Sequence, residues 1–132
     1  MSDWNTGSTG LRDRMVANFL KVISWFLIGG LILITFIPAS GRPITGLQHH
    51  LEHFAAFALT GLIFGFAYAW QLRTLLVSAL VFTLLLEVGQ IPLPTRHARL
   101  GDFIIDAAGA CLAIVVAQFV RRLARDRVGA IP

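Results

Sequence analysis

The chain has 132 residues, 56% of them hydrophobic and only 14% charged, with a mean hydropathy of +0.74. A domain of this length has too little interior to hide so much apolar surface, so a water-soluble globular fold is excluded. Eleven Lys and Arg against seven Asp and Glu give a net charge of +4 and a pI near 10.6, but the positive residues gather at the ends of apolar runs, which membrane topology explains without nucleic acid.

In chain order, residues 1–18 read as an N-terminal tail whose first ten residues, with two glycines and several hydroxyl side chains, are expected to be unstructured. Residues 19–37 form the first apolar run. Followed by "IPASG" it loosely resembles a secretory signal, but it is long for the apolar stretch of one and reads as a retained membrane span. Further runs cover 54–70, 74–91 and 103–120. At 19, 17, 18 and 18 residues, all four fall in the range of about 17 to 25 that crosses a hydrocarbon layer as a helix. Consecutive apolar residues such as Leu84, Leu85 and Leu86 exclude the alternation of a β-barrel. The expected fold is all-α: one integral membrane bundle of four transmembrane helices over 19–120, followed by a basic tail, 121–132.

Eight of the eleven basic residues (Arg12, Arg14, Lys21, Arg73, Arg121, Arg122, Arg125 and Arg127) lie on one side of this bundle. By the positive-inside rule that side is cytoplasmic, so a multi-pass inner-membrane protein with both termini inside is expected. Residues 38–53 and 92–102 then face outward. Pro92 and Pro94 end the third helix, so the third and fourth are expected to be antiparallel neighbours.

The acids in "LLLEVGQIPLPTRHARLGDFIIDAAG" carry the chemistry. Glu87 and Gln90 share one helical face, as do Asp102, Asp106 and Gly109, and His49 and His53 repeat that pattern where the second helix begins. His53, Glu87, Gln90, Arg96, Asp102 and Asp106 are expected to converge just beneath the outer surface, because a charge facing lipid costs about 2.5 to 3.5 kcal/mol at mid-span. In this reading His53 and Glu87 are the candidate catalytic pair. Gln90, Arg96, Asp102 and Asp106 bind the ligand: Arg96 meets a phosphate or carboxylate and Asp102 holds Arg96. His50 and His97 read as solvated loop residues, and Trp25 has no assigned role. Cys111, the sole cysteine, reads as a packing residue. No resident metal or cofactor is expected; oxygen and nitrogen ligands for Mg or Mn are present, but no adjacent ligand signature such as H-E-x-x-H is. An activated serine, a catalytic cysteine and a phosphate-cradling glycine loop are likewise missing, and the sequence leaves enzymatic activity open.

"LEHFAAFALTGLIFG" and "LLLEVGQIPLPTRHARLGDFIIDAAGA", in a four-helix layout, resemble the VanZ-like membrane proteins over roughly residues 47–117. That family's pattern is a helix-opening His-Phe, a Glu-x-x-Gln, an Arg six residues before an Asp, and an Asn-x-x-Gly. His53, Phe54, Phe57, Glu87, Gln90, Arg96, Asp102 and Gly109 occupy those positions. Two departures stand out: His49 and His50 replace the usual Asp-Lys, and Asp106 replaces the usual Asn. The family takes its name from a protein associated with low-level teicoplanin resistance. The resemblance implies an envelope role, with membrane lipids and a lipid-linked cell-wall precursor as partners. Two rival classes are a small proton-coupled transporter and a scaffold whose polar cluster only fastens helices. Gly61 and Gly65 in "GLIFG", with Gly109 and Ala113, suit close helix packing, within the bundle or in a homodimer.

Overall fold

The computed structural model describes residues 5–36, 49–91 and 100–129, with side chains described for 10–36, 50–91 and 100–127. Four helices fill these segments: α1 (Asn5–Phe36), α2 (His49–Ala67), α3 (Leu72–Gln90) and α4 (Leu100–Gly129). No strand occurs among the described residues. All four helices are long and apolar enough to cross a membrane. The protein is a multi-pass membrane protein built as an all-α bundle.

Two helices outrun the expected spans. α1 has 32 residues and α4 has 30, or about 48 and 45 Å of rise, against a hydrocarbon layer of about 30 Å. α1 already begins at Asn5, inside the segment expected to be unstructured, and α4 continues through the basic tail to Gly129. Neither overhang contains a proline, and Arg12, Arg14, Arg122 and Arg125 stay exposed along them, so the helical ladder continues past the apolar run.

The distribution of polarity is that of a lipid-solvated molecule. Phe26, Leu85, Val116 and Phe119 are exposed, whereas Ser24, Thr35, Thr60, Thr83, Gln90 and Asp106 are buried. Three of the buried hydroxyls donate to carbonyls of the preceding turn: Ser24 to Lys21, Thr60 to Ala56, and Thr83 to Ala79 and Leu80. Their polarity is thereby satisfied within the helix, as hydrocarbon surroundings require.

Around the bundle the order is α1, α2, α4, α3. α2 packs most extensively on α4, α1 on α2 and α3 on α4, while α1 and α3 touch only slightly. α3 and α4 are therefore neighbours as expected, but the main seam joins α2 to α4. These two helices run parallel: His50 and His53 face Asp102 and Asp106, Gly61 faces Ala110, and Gly65 faces Ile114 and Ala117. Glycine permits this closeness. A Cβ at Gly61 would lie 2.5 Å from the Ala110 carbonyl oxygen, and one at Gly109 would lie 2.7 Å from that of Phe54. Within this one chain, the small-residue pattern of "GLIFG" thus lines the α2–α4 seam.

Candidate functional site: a histidine and carboxylate cluster at the end of the seam

The parallel register of α2 and α4 brings the start of both helices to one end of the bundle, called here the polar end. Two polar residues of each helix face the other there, His50 and His53 three apart on α2 and Asp102 and Asp106 four apart on α4, so each pair lies on one face. The His53 Nδ1 lies 3.2 Å from Asp106 Oδ1 and 3.3 Å from Oδ2. One turn nearer the helix starts, His50 Nδ1 lies 3.5 Å from Asp102 Oδ1. The two rungs differ in environment. Side-chain exposure is 17% for His53 and 9% for Asp106, against 59% for His50 and 16% for Asp102, so only the inner rung is largely withdrawn from its surroundings.

An ionised carboxylate only accepts hydrogen bonds. With Asp106 ionised, the contact requires the proton on Nδ1, and in a neutral imidazole this makes Nε2 the acceptor nitrogen. A carboxylate that fixes the tautomer and orientation of a histidine is a recurring arrangement for a general base. Beneath this pair the His53 ring stacks on Phe57, with centroids 6.5 Å apart and planes 20° apart, and Phe57 in turn meets Phe82 of α3. Phe57 is buried and belongs to the core with Leu31, Leu86 and Ala110. The polar pair therefore rests on the apolar centre of the bundle.

The other expected site residues fall as follows. Glu87 is half-buried one turn before the end of α3, and Gln90 is buried at its last position. Asp102 is turned towards His50. Its expected partner, Arg96, lies outside the described residues, as do the side chain of His49 and all of Arg99 and His97. α4 begins at Leu100, three residues before the apolar run that starts at residue 103. Asp106 is thus about 9 Å along α4, whereas Glu87 is about 4.5 Å from the end of α3. Among the described residues, no three His, Cys, Asp or Glu side chains come together as a metal-ligand set. All described acids lie towards one end of a helix or the other, and none at mid-span.

Sequence reasoning missed three features. His50, taken for a loop residue, lies on α2 and forms the outer rung; its spacing to His53, beside that of Asp102 to Asp106, was the available signal. Gln118 and Arg121 were missed at the opposite end. The Gln118 side chain donates to the Gly65 carbonyl at 2.8 Å, and Arg121 Nη1 donates to those of Phe66 and Tyr68 at 3.0 and 2.8 Å. These groups satisfy carbonyls that the end of α2 leaves open, and α2 accordingly stops at Ala67 instead of running on to residue 70. Gln118 was visible as a lone amide in an apolar run. Trp25, left without a role, donates its indole N–H to the Tyr68 hydroxyl at 2.8 Å and so ties α1 to the turn after α2.

Comparison with protein-family models, with curated proteins and with solved structures finds no match for this chain. The VanZ-like resemblance rests on the motif residues alone.

Proposed function

We propose that this chain is a VanZ-like inner-membrane protein that recognises the polar head group of an envelope lipid or lipid-linked cell-wall precursor at the outer leaflet. The observation that carries this reading is the inner rung. Ionisable side chains are costly within a span and mark function there by default, and His53 and Asp106 are held as an oriented, largely buried pair between two membrane-spanning helices. The clustering of eight basic residues at the other end supports the outward orientation.

In this reading Asp106 orients His53, and His53 Nε2 accepts a hydrogen bond or a proton from a hydroxyl or ammonium of the head group. Glu87 and Gln90 approach from α3. Arg96, in the connection between α3 and α4, supplies the positive charge for a phosphate or carboxylate, and Asp102 steadies the outer rung. If the head group is modified as well as bound, His53 and Glu87 are the proton acceptor and donor. Asp106, where the VanZ-like pattern has Asn, gives this chain a more strongly oriented histidine than that pattern provides.

The test is head-group binding by purified protein in vesicles whose lipids differ only in head group, comparing wild type with Glu87→Gln and His53→Ala after normal insertion is confirmed. Loss of head-group preference in both variants supports the reading, and unchanged preference in both removes it. A second reading, that the cluster is only a helix fastener, is favoured by the fact that both rungs join α2 to α4. In that case the variants lose stability while binding selectivity stays at the wild-type level.

A further inference from the structure

Below the polar pair, α1 and α3 stand apart, and a groove of 270 Å³ opens between them. Trp25 and Ile28 of α1 form one wall, and Leu75, Ser78 and Phe82 of α3 the other. Phe57, Gly61 and Phe64 of α2, with Ala110 and Ile114 of α4, form the floor. Trp25, Trp70 and Ser78 are exposed, so the groove opens to the surroundings of the bundle, which at this depth are hydrocarbon. The hydroxyl of Thr60, which also lines it, is already bonded to the Ala56 carbonyl and offers little to a polar guest.

The groove has two ends. At one, Phe57 is shared: it lines the groove, and its ring stacks with that of His53. At the other, Trp70 packs against Phe64 at 5.9 Å and Tyr68 at 4.7 Å, and Tyr68 is pinned by the Trp25 indole. A hydrocarbon-facing groove left empty would forfeit dispersion contacts along its whole lining, so it is filled in a bilayer. Its volume sets the size of the guest. A cavity of about 150 Å³ lined by apolar side chains holds the six carbons of benzene, so 270 Å³ in proportion holds about eleven carbons, a single chain segment.

We infer that this groove seats one hydrocarbon chain of an amphiphile whose head group lies at the His53–Asp106 pair, and that the aromatic end limits the length seated. The inference rests on the head-group reading above. It adds the location of one tail of the ligand and the length of it that is seated.

Trp25 and Trp70 are built-in reporters of occupancy. In a Trp4→Phe background, which leaves only these two indoles, the probe is a lysophosphatidylglycerol brominated along its chain. It is present at trace mole fraction in vesicles of unlabelled phosphatidylcholine. Selective seating quenches the indoles several-fold more than the probe's mole fraction in the bilayer alone would give. Ser78→Phe fills the groove from an exposed position and returns quenching to the bulk level; Ser78→Leu, a smaller filling, gives an intermediate loss. Wild-type quenching at the bulk level overturns the inference. So does enrichment that survives Ser78→Phe. Asp106→Leu separates the two proposals: enrichment lost in both Asp106→Leu and Ser78→Phe supports groove and head-group site together. Enrichment lost only in Ser78→Phe supports the groove and counts against the head-group reading.

Discussion

Adding one methyl group at Gly61 tests the seam on which the site depends. The new Cβ would stand 2.5 Å from the Ala110 carbonyl oxygen and 2.9 Å from its Cα, both backbone atoms that cannot turn aside. Carbon contacts are most favourable at about 3.5 to 4.0 Å, so α2 and α4 have to part by about 1 Å. A gap of that size forfeits roughly a quarter to a half of each contact along the seam. Overpacking of this kind costs about 1 to 3 kcal/mol. Alanine also returns about 1 kcal/mol of helix propensity over glycine, so the control is Gly29→Ala, where an added Cβ meets nothing within 4 Å and the same propensity gain applies. Unfolding in mixed micelles with increasing denaturing detergent should place Gly61→Ala about 1 to 3 kcal/mol below Gly29→Ala. The same parting stretches His53–Asp106 from 3.2 Å beyond hydrogen-bond reach, so head-group selectivity should fall with stability. Equal stability of the two variants, both correctly inserted, would refute a tight parallel α2–α4 seam.

Asp106→Leu takes the carboxylate from the His53 Nδ1 and should lower stability by about 1 kcal/mol, within the range for interhelical polar contacts in membranes. Asp106→Asn keeps an acceptor and should lose less; identical losses in the same titration would show that the hydrogen bond is unimportant. Arg121→Met frees the carbonyl of Phe66 and leaves that of Tyr68 with only its Gln118 donor, and a loss of about 1 kcal/mol should speed amide exchange in the last turn of α2 about fivefold without changing exchange at its start. Unaltered exchange there would rule out the capping role. Cys111, half-buried near the middle of the apolar part of α4, should resist a water-soluble maleimide in native membranes and react once the protein is unfolded in detergent. Prompt labelling in the membrane would place water where the bundle has none.

The sequence by itself determined that this is a membrane bundle of four helices, because span length and continuous apolarity are local properties that a bilayer reads directly. It also marked His53, Glu87, Gln90, Asp102 and Asp106 as residues that have to avoid lipid, since their spacing places them on helical faces. Local pattern could not say which helices touch. The connection through Pro92 and Pro94 makes α3 and α4 neighbours, but the dominant contact is between α2 and α4, which are separated along the chain by an entire span. Glycines meeting carbonyls across that seam fix its register, and the register alone decides that His50 meets Asp102, that His53 meets Asp106, and that Gln118 and Arg121 reach the end of α2. The groove is likewise a tertiary product: it exists because α1 and α3 diverge while α2 and α4 close behind them. A sequence states what each helix face would prefer to avoid, and packing geometry selects the partner that lets it do so.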